Sequence, residues 1–265
     1  MGVELRPLGV TCNIQCQYCY QNPQRDAGNV LHDFDFDKMM AAVETEGGKF
    51  ALFGGEPLLL PLADLKRIWA WGFARSGANG IQTNGTLITD THIEFFRLYN
   101  VDVGISLDGP AELNDSRWAG TLEHTREQTA KVESVIERMC REGMPPRLIV
   151  TLHRGNATRE KLPIMQAWFR SLEKLGVRTV RLHLLEVDHA DVRDAYALTE
   201  AENCAAVEVF ADLERQLTTM RFDLFEDMRQ MLLGQDDATT CVWNACDPYT
   251  TRAVRGVEGN GKRSN

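Results

Sequence analysis

The chain has 265 residues, 43% of them hydrophobic and 25% charged, enough to bury a sizeable core in one large domain or one domain plus a fragment of another. A formal charge of −9 argues against a general nucleic-acid or anionic-membrane binder, which needs clustered Lys and Arg. No apolar run is long enough to span a membrane, and Glu4 and Arg6 interrupt any signal core, so the expected location is the cytoplasm. Seven cysteines, three of them between Cys12 and Cys19, suit metal chemistry in a reducing compartment better than a secreted disulfide frame.

In chain order, short β-branched or apolar runs alternate with longer helical patterns six times, the signal of a βα-repeat fold. Strands are predicted at Val3–Val10, Lys49–Phe53, Gly80–Thr83, Val101–Leu107, Arg147–Leu152 and Arg178–Val187. Helices are predicted at Asp35–Glu46, Leu62–Arg75, Asp90–Tyr99, Leu122–Arg141 and Thr158–Leu175. A polar loop around Asp188–Asp194 follows, then helices over Glu200–Met220 and Leu224–Leu233. The expected domains are a partial barrel over 1–198, a helical segment over 199–240 and a further element over 241–265.

Strand alternation places Val101, Val103, Ile105 and Leu107 on one face of the fourth strand, and Asp102, Gly104, Ser106 and Asp108 on the other. In the fifth and sixth strands, Arg147, Ile149, Thr151, His153, Arg181, His183 and Leu185 share the second face, as do Glu4 and Arg6 in the first. A closed barrel fills its interior with branched apolar side chains. Burying this many unpaired polar groups would cost about 1–3 kcal/mol each. The pattern therefore predicts an open, partial (βα)6 TIM-like barrel holding a polar ligand. The plainer alternative is a doubly wound sheet with polar strand ends near solvent.

After the first strand comes Thr11-Cys12-Asn13-Ile14-Gln15-Cys16-Gln17-Tyr18-Cys19-Tyr20. Three thiolates on one loop can hold a cubane iron–sulfur cluster with one iron left open for a further ligand. A zinc knuckle needs a second close Cys or His pair, and His32 is the only nearby histidine. A dithiol motif of Cys16 and Cys19 leaves Cys12 idle.

This spacing, with an aromatic residue before the last cysteine, resembles the signature of the radical S-adenosylmethionine (SAM) superfamily. The resemblance implies a [4Fe-4S] cluster on Cys12, Cys16 and Cys19, with Tyr18 near the adenine of SAM. Phe53-Gly54-Gly55-Glu56-Pro57-Leu58 resembles the family's segment for the SAM amino group. Glycines allow close backbone approach there, and a carboxylate accepts from an ammonium. Gln82-Thr83-Asn84-Gly85-Thr86 and Ser106-Leu107-Asp108-Gly109-Pro110 resemble the branch of anaerobic sulfatase-maturating enzymes and ribosomal-peptide maturases. That branch implies a (βα)6 partial barrel, with Ser106 at the SAM ribose and Arg117 at the methionine carboxylate.

The implied chemistry is reductive cleavage of SAM to a 5′-deoxyadenosyl radical that abstracts hydrogen from a ribosomally made peptide. A sulfatase-type protein side chain, a small metabolite, and a non-enzymatic iron–sulfur or zinc sensor are the alternatives. Implied partners are a peptide substrate, a separate leader-peptide-recognition protein and an electron donor such as ferredoxin or flavodoxin, with no nucleic acid or membrane. The catalytic acid, base or hydrogen donor is unassigned; His153, Arg181 and His183 are candidates to face the substrate. Cys140 and Cys204 are expected to be buried helical thiols. The glycine-rich, basic end resembles the opening of the SPASM extension, with Cys246 an expected auxiliary-cluster ligand and Cys241 a weaker one. Fourteen residues separate Cys246 from Gly261, so the matching Cys would fall just beyond Asn265, and auxiliary [4Fe-4S] clusters are expected in a longer chain.

Overall fold

A computed structural model describes residues 3–28, 30, 33–187, 189–235, 239 and 255–264. Cys241, Cys246 and His32 lie outside the described residues, and so does most of the expected 241–265 element. In order, the elements are β1 (Val3–Arg6), α1 (Asn22–Asp26), α2 (Phe36–Thr45), β2 (Phe50–Leu52), α3 (Leu62–Ser76), β3 (Asn79–Thr83), α4 (Asp90–Leu98) and β4 (Val101–Ser106). There follow α5 (Leu122–Arg141), β5 (Arg147–Leu152), α6 (Leu162–Leu175), β6 (Thr179–Leu184), α7 (Ala190–Tyr196), α8 (Glu200–Gln216), β7 (Arg221–Phe222), α9 (Asp223–Leu232), β8 (Gly256–Glu258) and β9 (Arg263–Ser264).

The chain divides into two compact units. The first comprises 1–13, 21–104 and 230–265; the second comprises 14–20 and 105–229. In the first, the strand order is β3-β2-β1-β8-β9, with β1 parallel to both β2 and β8 and only β9 antiparallel. In the second, β5, β6 and β7 run parallel. Within each unit the repeat strands follow in sequence, without the reversal of direction that a doubly wound sheet requires.

Sequence signals explain most boundaries. Glycine in the left-handed region ends α3 at Gly77 and α6 at Gly176, where a Cβ would be strained. Thr199 and Glu202 form a reciprocal capping box on α8. Strand β6 and helix α8 end earlier than expected, at Leu184 and Gln216, and three further expectations need correction. Strand β1 stops at Arg6 instead of Val10, because Pro7 offers no N–H to the ladder. Helix α6 starts at Leu162, not Thr158, because Pro163 fits only its first turn. The expected polar loop contains α7, which buries no residue and so carries no apolar period for a sequence reading to detect.

The glycine-rich end is also more ordered than its composition suggests. Gly256–Glu258 pairs with Glu4–Arg6, Val257 is 1% exposed, and Arg255 and Arg263 both form ion pairs with Glu46. Strands of two or three residues are too short to show a period.

Each unit has its own apolar centre. In the first, Leu5, Leu52, Met39, Leu65, Ile68 and Trp69 are fully buried, with Trp69 edge-on to Phe96 at 5.5 Å. In the second, Phe169, Phe210 and Phe222 are fully buried, and Phe169 meets the other two edge-to-face, 5.5 Å from Phe210 and 5.0 Å from Phe222. Cys204 is exposed, contrary to expectation. Helix α8 buries Ala206, Phe210 and Leu213, and Cys204 sits two residues from that stripe on the opposite face. Cys140 is half-buried, and burial pushes its thiol pKa up.

Truncating Phe210 to Ala should destabilise the second unit by about 3–5 kcal/mol. Denaturant unfolding followed by circular dichroism checks this, and a midpoint equal to that of wild type refutes it.

Candidate active site

In the first unit the site begins where β1 and β2 end. Beyond Leu52 the parallel pairing continues as loop against loop: Phe53 N–H donates to Leu5 O at 2.8 Å, Gly55 N–H to Gly9 O at 2.9 Å and Glu56 N–H to Thr11 O at 2.8 Å. The two glycines make this possible. A Cβ on Gly54, whose φ is +111°, would lie 2.4 Å from Gly9 O, and one on Gly55 would lie 2.0 Å from Thr11 O. The close approach that the sequence assigns to a ligand is thus, in the structure, an approach to the backbone leading into Cys12.

Glu56 is 1% exposed. Its Oε1 accepts from Leu58 N–H at 2.9 Å and Thr83 Oγ1 at 2.7 Å, and its Oε2 accepts from Asn84 N–H at 2.8 Å. These three donors fix the orientation of the carboxylate. Asn84, at the end of β3, also places its Nδ2 at 3.8 Å from Cys12 Sγ and 2.9 Å from Asn13 Oδ1.

The chain passes into the second unit after Asn13 and returns after Tyr20, so Cys12 belongs to one unit and Cys16 and Cys19 to the other. The loop is tied by Gln15 N–H to Trp118 O at 2.7 Å and Gln17 N–H to Ser116 O at 2.9 Å, and a turn joins Cys19 N–H to Cys16 O at 3.1 Å. All three cysteines are half-buried and outside any disulfide. Among the described residues, no three Cys, His, Asp or Glu side chains are gathered around one point as a metal site.

Asp108 organises the second unit's part. It is fully buried. Its Oδ1 accepts from Thr151 N–H at 3.0 Å and lies 3.8 Å from Arg117 Nη1, while its Oδ2 accepts from the Tyr18 hydroxyl. Its own N–H donates to Asn114 Oδ1 at 2.9 Å, and its carbonyl accepts from Asn156 Nδ2 at 2.7 Å. Burial pushes the Asp108 carboxyl up, but the Arg117 charge, His153 and Tyr18 together prevail and hold it below the ordinary value. Burial, followed by the Asp108 charge, pushes the Tyr18 hydroxyl well above its usual range.

His153 is also fully buried. Its Nδ1 accepts from Gly155 N–H at 2.9 Å, which directs Nε2 toward Asp108 Oδ2 at 3.5 Å, longer than an ordinary hydrogen bond. The ring lies 5.0 Å from Tyr18.

The expected site residues thus fall into two groups. Cys12, Gly54, Gly55 and Glu56 meet in the first unit; Cys16, Tyr18, Cys19 and Arg117 meet in the second, where Ser106 ends β4 half-buried. Arg117 donates to Tyr18 Oη at 3.1 Å, so its partners here are protein groups. Arg181 pairs with Asp223 at 2.6 Å, and His183 lies 3.7 Å from Glu186. The sequence reading places Asp108 on the polar face of the fourth strand and in a motif resembling the family branch but gives it no role, and it does not single out Asn114 or Asn156. Those two placements are the signals that could have found Asp108.

A parallel α/β fold, a three-thiol loop after β1 and a Gly-Gly-Glu segment after β2 together define a class of cofactor-dependent enzymes. The family model of the Radical SAM superfamily matches residues 7–163, and the chain belongs to that superfamily. It is 27% identical over 267 residues to a serine-type anaerobic sulfatase-maturating enzyme of Bacteroides thetaiotaomicron, covering 93% of this chain and 63% of that protein. It is 31% identical over 128 residues to a cysteine-type anaerobic sulfatase-maturating enzyme of Clostridium perfringens, covering 43% of this chain and 35% of the relative. The chain spans only about half to two-thirds of the first curated relatives it matches.

Among solved structures, anSMEcpe with bound AdoMet and Cp18Cys peptide superposes with a TM-score of 0.77 at 18% identity, over 99% of this chain and 72% of that one. Streptococcus suis SuiB superposes with a TM-score of 0.64 at 13% identity, over 99% and 59%. These likenesses show a mixed α/β fold with a parallel sheet, consistent with the radical SAM partial barrel. Among the described residues, no helix is long and apolar enough to cross a membrane.

Two substitutions test these packing arguments. Gly55→Ala should disorder the loop before Cys12, read as faster hydrogen exchange at the Gly55 and Glu56 amides. Asp108→Ala should cost about 3–5 kcal/mol by stranding the Arg117 charge, read by denaturant unfolding. Because the Asp108 carboxyl lies below its unfolded value, its stabilisation is complete above the unfolded value and is lost as pH falls from there through the lower folded one. Acid unfolding of wild type below about pH 4 should therefore carry a component that Asp108→Asn lacks.

Proposed function

We propose that the chain carries the catalytic core of a radical SAM enzyme acting on a ribosomally made peptide, with Cys12, Cys16 and Cys19 holding a [4Fe-4S] cluster. The observation that carries this reading is the interlock of the Gly54-Gly55-Glu56 segment with residues 9–11, which fixes a buried carboxylate beside the start of the cysteine loop. The donor set fits the group: three thiols on one short loop leave a cubane with one iron open. When bound, the cluster and SAM supply reductive cleavage to methionine and a 5′-deoxyadenosyl radical, chemistry that belongs to the cofactors.

The protein's part is binding and orientation. Glu56, its carboxylate already oriented by Leu58, Thr83 and Asn84, accepts from the SAM ammonium. Gly54 and Gly55, whose side-chain space is filled by residues 9–11, hold the loop before Cys12 and contribute main-chain atoms to the same ligand site. Tyr18, anchored by Asp108, supports the adenine, and Ser106 the ribose. Arg117 serves the methionine carboxylate by exchanging its contact with Tyr18 for the ligand. An electron donor such as ferredoxin or flavodoxin and a separate leader-peptide-recognition protein complete the expected partners. Cys246, and less strongly Cys241, are proposed auxiliary-cluster ligands in a SPASM-type element over 241–265.

A second reading, maturation of a sulfatase side chain, is favoured by the names of the curated relatives in Bacteroides thetaiotaomicron and Clostridium perfringens. Mass analysis after anaerobic incubation separates the two: a change on a small precursor peptide supports the first, and conversion of a sulfatase-derived Cys or Ser peptide supports the second.

Replacing Cys12, Cys16 and Cys19 together with Ala should abolish both iron uptake and 5′-deoxyadenosine formation. Residual SAM cleavage by that variant would refute the assignment. Glu56→Ala should weaken SAM binding by about tenfold or more, as expected for losing a charge-assisted hydrogen bond of about 1.5–3 kcal/mol, while leaving iron content unchanged.

A further inference from the structure

The Gln82-Thr83-Asn84-Gly85-Thr86 segment supports Glu56, and its central residue also reaches the cysteine loop. Asn84 is 7% exposed, and its amide orientation is determined by its neighbours. Its Oδ1 accepts two hydrogen bonds from Thr86, from the backbone N–H at 3.0 Å and from Oγ1 at 2.6 Å. Turning the amide over would set its NH2 group against those two donors, so the nitrogen must face the other way. There it meets Asn13 Oδ1 at 2.9 Å and Cys12 Sγ at 3.8 Å. Asn13 closes the ring by donating from its own Nδ2 to Thr86 Oγ1 at 2.9 Å. Each group in this ring has a definite donor or acceptor role, and the second amide hydrogen of Asn84 is directed at sulfur.

We propose that Asn84 is a positioning residue for Cys12, donating a side-chain N–H to its sulfur while its backbone N–H holds the Glu56 carboxylate. One residue at the end of β3 thereby sets both a cluster ligand and the carboxylate assigned to SAM. This rests on the cluster assignment made above. An N–H donor on a ligating sulfur stabilises the more negative, reduced state of a cluster and raises its reduction potential.

The test uses reconstituted protein. Asn84→Ala removes the donor without adding charge; Asn84→Asp also removes it and keeps the acceptor that Thr86 requires, while placing a negative charge beside Cys12. Midpoint potentials come from redox titration followed by electron paramagnetic resonance. Pulsed resonance on protein labelled with 15N-asparagine detects nitrogen coupled to the reduced cluster. The expected result is a more negative potential in both variants at wild-type iron content, with a 15N coupling present in wild type and diminished in both. Unchanged potentials, or an undiminished coupling in the variants, overturn the proposal. If wild-type protein takes up no cubane, the functional reading itself fails and this inference with it; a cubane in wild type with no effect of Asn84 overturns the inference alone.

Discussion

The first unit's site depends on a close approach of backbone to backbone. Parallel strands β1 and β2 end, but their pairing continues through Gly55 N–H to Gly9 O and Glu56 N–H to Thr11 O, at a separation that leaves no space for a side chain on Gly54 or Gly55. Everything beyond inherits that register. Glu56 is carried into a buried position where Leu58, Thr83 and Asn84 converge on its oxygens, and Cys12 follows directly from Thr11. A carboxylate and a thiol are thus placed by hydrogen bonds of the main chain, the least adjustable part of the protein.

The second unit solves a different problem, a buried charge. Asp108 has lost its water, and it stays ionised because Arg117 lies nearby and Thr151 and Tyr18 donate to it. The consequence for the cysteine loop is direct: Tyr18 lies between Cys16 and Cys19, so the group that stabilises Asp108 also tethers that loop. Burial of the charge and placement of the thiols are one arrangement, and a change in either is felt by the other.

Much of the α/β framework was legible from period alone. Helix α5 and strand β5 have the boundaries that their apolar spacing predicts, and the other repeat elements differ mainly at their ends. The misses share a cause. Helix α7 buries nothing, and β7, β8 and β9 have only two or three residues each, so none offers a period to detect. Cys204 was placed on the wrong face because a helix with several alanines has a poorly marked stripe.

The sequence by itself determined the local patterns that mark the superfamily. Three thiols at fixed spacing, an aromatic residue among them and a Gly-Gly-Glu segment about forty residues on are local patterns, readable because each lies on a single loop. Only the tertiary structure decided what those residues touch. Gly54 and Gly55 face the protein's own backbone, Arg117 joins Tyr18 and Asp108, and Asn84 reaches Cys12 across seventy-two positions of chain. Such contacts join residues far apart in sequence, and their geometry is set by strand register and burial, which no local pattern encodes.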